Sequence, residues 1–186
     1  MRQTTLLLPG IINLANTKKI ILITQGTFES DPSKLIIPAL EALRNEVYLI
    51  IVATGFHNTE ELRKKYQQDN IVIEDFIDFD SIMPRTDIYI TNGGYGGTLL
   101  AIQHGLPMVA AGINEGKNEI CARIGYFELG IDLKTEKPTS QKIRMAVRNI
   151  LFNPECKKNV EKLRNQFTQY NTNKLAADHI LNLAEK

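Results

Sequence analysis

The residues best equipped for chemistry in this chain are small ones. The run Thr91-Asn92-Gly93-Gly94-Tyr95-Gly96-Gly97-Thr98 packs four glycines into five positions, directly between a β-branched stretch and a helical pattern. Glycines let backbone N–H groups approach a ligand, and the helix N-terminus behind them adds partial positive charge, so the loop suits a diphosphate. The competing reading is a tight strand-to-helix bend and nothing more. Its spacing matches neither G-x-G-x-x-G nor the G-K-[ST] of a P-loop, which weakens nicotinamide and ATP-hydrolysis chemistries. A second small polar loop, Gln25-Gly26-Thr27, follows the first apolar run. The histidines are blander. His104 ends a helix before Gly105, a structural position, and neither His57 nor His179 has a nucleophile or carboxylate nearby in sequence to complete a triad. No histidine or cysteine spacing suits a metal, and Cys121 and Cys156 read as inert thiols in a reducing, cytoplasmic setting.

Placing those loops is the task of the surrounding elements. Lys19–Gln25 carries the unbroken apolar run Ile20–Ile23, rich in β-branched residues, the signature of a strand buried on both faces. Asp31-Pro32 predicts a capped helix running to about Glu46, followed by a strand over Val47–Ala53 and a charged helix over Thr59–Gln68. Further strands are predicted at Ile71–Glu74, Asp87–Thr91, Pro107–Ala111 and Ile131–Leu133, with no more than a helical turn at Ser81–Pro84. Helices over Gly97–His104 and Lys117–Ile124 separate the later strands, and helices over Ser140–Phe152, Glu155–Tyr170 and Lys174–Glu185 close the chain. Six strands alternating with helices imply an α/β open parallel sheet with helices on both faces. Right-handed crossovers favour strand order 3-2-1-4-5-6, which sets strands 1 and 4 side by side at the switch point where such sheets bind ligands. The two small polar loops are those that follow strands 1 and 4.

Composition narrows the function further. The 186 residues carry 22 Lys and Arg against 21 Asp and Glu, a formal charge of +1, so no field gathers a polyanion and nucleic-acid binding by phosphate neutralisation is disfavoured. One domain of this length buries a sizeable core. Residues 1–17 read as a connecting segment and residues 18–186 as a single domain with C-terminal helices. The leader Leu6–Ile12 is short and broken by Pro9-Gly10, which fits neither a signal peptide nor a membrane span.

Taken in order, Ile23-Thr24-Gln25-Gly26-Thr27, Asp75-Phe76-Ile77, the glycine run 91–98, Gly105-Leu106-Pro107 and Glu115-Gly116-Lys117-Asn118-Glu119 resemble a known domain. It is the C-terminal, donor-binding domain of UDP-dependent glycosyltransferases, in particular the bacterial macrolide-glycosyltransferase-like group. The resemblance covers about Lys18 to Gln166. It implies the Rossmann-like C-terminal half of a type-B glycosyltransferase, with a UDP-sugar as donor substrate and neither a cofactor nor a metal. The chemistry implied is inverting transfer of a hexose to a small acceptor hydroxyl. Gly26, Thr27, Asn92, Gly94, Gly96, Gly97 and Thr98 would bind the diphosphate. Phe76 would lie against the base and the Ile77 backbone would read its edge, unless Phe76 is an ordinary core aromatic. Glu115 and Lys117 would meet the sugar, unless they form only a solvated helix start. Asn92 stands where most relatives have a histidine, and Leu100 where many have a ribose-binding glutamate, so ribose recognition comes from elsewhere or is weaker.

No catalytic residue is assigned, because the histidine that serves as base in such enzymes belongs to the missing half. The implied partners are a nucleotide sugar and an N-terminal acceptor-binding domain or a separate acceptor-binding subunit. Two further readings stay open: a non-catalytic nucleotide-sugar-binding module, and a fragment of a longer enzyme.

Overall fold

The computed structural model of the chain describes residues 19–184, so the connecting segment assigned to residues 1–17 lies outside the described residues. Six parallel strands, β1 (Ile20–Thr24), β2 (Leu49–Ala53), β3 (Ile71–Glu74), β4 (Ile88–Thr91), β5 (Met108–Ala110) and β6 (Gly130–Asp132), pair in the order β3-β2-β1-β4-β5-β6. This is the predicted topology. Register runs Ile21 against Ile50 on one side of β1 and against Ile88 on the other.

Alternation along the strands divides the core in two. Ile21, Ile23, Ile50, Val52, Ile88 and Ile90 face one way, where α1 (Ile36–Leu43) and α6 (Ser140–Phe152) cover them with Leu40, Leu43, Ile143 and Val147. Ile20, Leu22, Leu49, Ile51 and Tyr89 face the other way. There α4 (Tyr95–Gln103), α5 (Lys117–Tyr126) and α7 (Glu155–Phe167) supply Ile102, Ile124 and Val160. Every residue of β1, β2 and β4 is buried, the burial on both faces that a parallel sheet imposes. Completing the series are α2 (Thr59–Lys65), the short α3 (Phe79–Ile82) with a 3₁₀ turn at Met83–Arg85, and the exposed α8 (Thr172–Ala184).

Two boundaries differ from expectation for local reasons. Helix α1 begins at Ile36 instead of just after Asp31, because residues 31–35 form turns in which Asp31 Oδ1 accepts from Ser33 N at 2.9 Å. The buried Gln25 takes over the capping role: its Oε1 accepts from Ile36 N at 3.4 Å while its Nε2 donates to Glu29 O at 3.1 Å. Pro38 then falls in the first turn, where a missing N–H costs no intrahelical bond. Helix α4 begins two residues earlier than expected, at Tyr95, which places Gly96 and Gly97 inside its first turn.

Candidate functional site

The C-terminal ends of β1 and β4 lie side by side, and their loops are physically tied. Asn92 is buried at the end of β4; its Nδ2 donates to Gln25 O in the β1 loop, and its Oδ1 accepts from Gly94 N at 3.3 Å. The side chain that the resemblance assigns to the diphosphate therefore spans the two loops. Gly26 can sit against it only because it lacks a Cβ, which would lie 3.1 Å from Asn92 Nδ2, and because φ is +82° there. Gly26, Thr27 and Phe28 themselves are exposed along the cleft.

The positive φ that the glycine run requires falls at Gly93, at +77°, instead of at Gly94, Gly96 or Gly97. A Cβ on Gly93 would also collide with Cys121 Sγ of α5. Gly94 is the N-cap at φ −63°, and the next three N–H groups, of Tyr95, Gly96 and Gly97, have no acceptor within the helix. They point out of its N-terminus, the positive end of the helix dipole. Gly96 is exposed with no heavy atom within 4 Å of where a Cβ would stand, so the space over this turn is open. Gly97 serves packing instead: its Cβ would come within 2.7 Å of Tyr89 Oη, which is hydrogen-bonded to Thr24 Oγ1 at 2.6 Å. Burial raises the Tyr89 phenol pKa, so this hydroxyl stays neutral. Thr98 is buried, and its hydroxyl donates to Gly94 O at 2.9 Å, closing the first turn.

Phe76 follows β3 and is 61% exposed, so it is not a core aromatic; Ile77 beside it is buried and anchors the segment. The β2 and β3 loops are joined by Gly55 N donating to Asp75 O at 3.0 Å, and by Thr59 Oγ1 donating to Asp75 Oδ1. Phe76 follows directly on the Asp75 that these bonds fix. At the other end, Lys117 Nζ pairs with Glu115 Oε2 at 2.6 Å at the start of α5, with the lysine side chain 16% exposed and the glutamate 70%. The Lys117 stem is thus packed against the fold, while Glu115, Gly116, Asn118 and Glu119 around it are exposed. Of the three histidines, only His104 has a carboxylate within 4.0 Å among the described residues, Asp80 at 3.9 Å. Leu100 lies part-buried against the core formed by Tyr89 and Ile102.

Sequence reasoning missed a charged network on the same rim. Glu29 in the β1 loop pairs with Lys34 at 2.5 Å, and Lys34 faces Glu136, from the loop after β6, at 3.8 Å. Glu136 Oε1 accepts from both Ile113 N and Asn114 N at 2.8 Å. The Lys34 hydrogen bond holds the Glu29 carboxyl below its usual range, and the Asn114 and Ile113 amides with Lys34 do the same for Glu136 against the cost of burial. These partners are 22 or more residues apart in the β6-to-β5 contacts, so no local pattern announces them.

The family of the "Erythromycin biosynthesis protein CIII-like, C-terminal domain" matches residues 35–180. Among curated relatives, 4'-demethylrebeccamycin synthase of Lentzea aerocolonigenes is 34% identical over 154 residues, 83% of this chain and 36% of that protein. UDP-glucosyltransferase A1 of Starmerella bombicola is 32% identical over 173 residues, 92% of this chain and 37% of that protein. The chain thus spans little more than a third of the relatives it matches. Among solved structures, the calicheamicin glycosyltransferase CalG4 superposes with a TM-score of 0.78 at 20% identity, over 88% of this chain and 43% of that one. The glycosyltransferase VinC, in complex with dTDP, gives 0.78 at 15% identity over 91% and 42%. Os79 from O. sativa, in complex with UDP, gives 0.70 at 16% identity over 82% and 37%. These likenesses fix the fold as one half of a type-B glycosyltransferase. With the matched span covering most of its length, the chain belongs to the erythromycin biosynthesis protein CIII-like C-terminal domain family of UDP-glycosyltransferases.

Proposed function

We propose that this chain is the donor-binding domain of an inverting glycosyltransferase that moves a hexose from a UDP-sugar to the hydroxyl of a small acceptor. The observation that carries the reading is the open first turn of α4, where the amides of Tyr95, Gly96 and Gly97 are unpaired within the helix and nothing fills the space over Gly96. A diphosphate seated there is held by backbone dipoles and the helix N-terminus. The exposed Phe76 ring offers a face to a flat, uncharged base, and Glu115 with Lys117 presents a carboxylate and an ammonium to sugar hydroxyls. The complexes of Os79 with UDP and of VinC with dTDP support a nucleoside diphosphate as the common ligand.

In the reaction the acceptor oxygen attacks the anomeric carbon as its bond to the β-phosphate oxygen breaks, and charge develops on the departing diphosphate. Preorganised amides aimed at that charge stabilise the transition state, and this is the share of catalysis assigned to the chain. The proton of the acceptor hydroxyl goes to a base in an acceptor-binding half, as a domain or as a separate subunit.

Equilibrium binding tests the reading. UDP should bind the chain with Kd on the order of 10–1,000 μM, because one wall of the cleft belongs to the other half. Millimolar UDP should raise the thermal midpoint by linkage. The chain alone should transfer no sugar, since general-base assistance worth about two to four orders of magnitude in rate is missing. Absence of any shift with UDP, GDP or dTDP contradicts the donor role, and robust transfer by the purified chain contradicts the division of labour.

A further inference from the structure

The loop between β5 and α5 is held in a costly shape by a residue from elsewhere in the chain. Glu115 has φ +59° and Gly116 φ +77°, two successive left-handed positions of which one is a non-glycine. Lys117 N donates to Asn114 O at 3.0 Å, so the turn closes tightly and delivers the Lys117 ammonium onto Glu115 at 2.6 Å. A strained backbone of this kind persists only where its surroundings over-determine it. The restraint here is Glu136, whose single Oε1 accepts from Ile113 N and Asn114 N, both at 2.8 Å. Its other oxygen faces Lys34 at 3.8 Å, and Lys34 is in turn fixed by Glu29 at 2.5 Å. Charge-assisted bonds to two consecutive amides are stronger than neutral ones, and the Glu136 side chain is only 21% exposed, so water competes poorly for them.

We propose that Glu136 is a positioning residue that, through the Ile113 and Asn114 amides, holds Glu115 and Lys117 in the register that reads the hexose. It thereby sets discrimination among nucleotide sugars, and not affinity for the nucleotide. The proposal rests on the donor-domain reading. Glu136 touches neither the glycine turn of α4 nor Phe76 in any recorded hydrogen bond or ion pair among the described residues, so base and diphosphate are read without it.

The test compares the parent chain with Glu136→Ala and Glu136→Gln by calorimetric titration with UDP, UDP-glucose and UDP-galactose. In Glu136→Ala the ratio of UDP-glucose to UDP-galactose affinity should move toward unity by about threefold or more, while UDP affinity stays within about twofold. Glu136→Gln keeps an acceptor oxygen for the two amides and should recover most of the ratio. Amide proton shifts of Ile113 and Asn114 should change in the alanine variant and largely return in the glutamine variant, which also verifies folding. Three results overturn the proposal: a parent that does not distinguish the two sugars, an alanine variant with the parental ratio, or an equal loss for UDP and both sugars. Failure of the parent to bind UDP at all is a different result, since it removes the donor-domain reading itself.

Discussion

Asn92 carries an assignment that changes meaning once its surroundings are visible. Its amide joins Gln25 O to Gly94 N, so it shapes the glycine turn by locking two loops together. Gly97 and Gly96 divide in the same way. Gly97→Ala would drive a methyl against Tyr89 Oη, at 2.7 Å in the native backbone, and overpacking of this kind costs about 1–3 kcal/mol. Denaturant melts should show that loss, and the same substitution in a Tyr89→Phe background should cost markedly less because the clashing oxygen is gone. Phe76→Ala belongs at this scale too. The ring is 61% exposed, so stability should stay within about 0.5 kcal/mol. UDP affinity should fall about threefold to tenfold, the worth of one aromatic stacking contact. Unchanged affinity in a titration of that variant would remove Phe76 from the base site.

Strand order was legible because it follows from alternation: six β-branched runs with helices between them leave few right-handed topologies. The glycine turn between β4 and α4 was legible as a motif for a similar reason, since four glycines at a strand end have few structural uses. Other features were hidden by their range. The cap of α1 comes from Gln25, eleven residues before the helix, and a local reading assigned it to Asp31 because Asp-Pro is the commoner signal. Glu136 sits in a polar loop whose composition says nothing of Ile113 and Asn114. The loop network makes its own pH-dependent contribution. Glu29 and Glu136 have depressed carboxyl pKa values in the fold, so their stabilisation is fully present above the ordinary value of 4.5. It is lost as the pH falls below that value and through the depressed ones. The paired Lys34, its pKa raised, loses its charge only in strong alkali. Thermal midpoints followed downward in pH should therefore drop more steeply for the parent than for Glu136→Gln, which has one fewer group to protonate. Parallel curves would show that Glu136 gains nothing from its amide partners.

For the whole molecule, the sheet gathers its functional loops along one edge of the fold. Phe76 stands beyond β3, the β1 and β4 loops meet at the switch point, and the Glu136-held loop follows β5. Under the proposed donor role, base, diphosphate and sugar would map onto the strands in spatial order, with residues far apart in sequence reading one extended ligand. Among the described residues no helix is long and apolar enough to cross a membrane. The central claim is that the amides of the α4 turn hold the diphosphate, and Gly96→Val tests it most directly. Gly96 is helical and a Cβ there meets no heavy atom outside its own helix, and valine is the better helix former. Its bulk would stand where the ligand sits. Calorimetric titration of UDP into parent and variant, with thermal melts of both, should show micromolar-to-millimolar binding only in the parent and nearly equal midpoints. A Gly96→Val chain that binds UDP as the parent does would contradict the account and leave the glycine run as a structural bend.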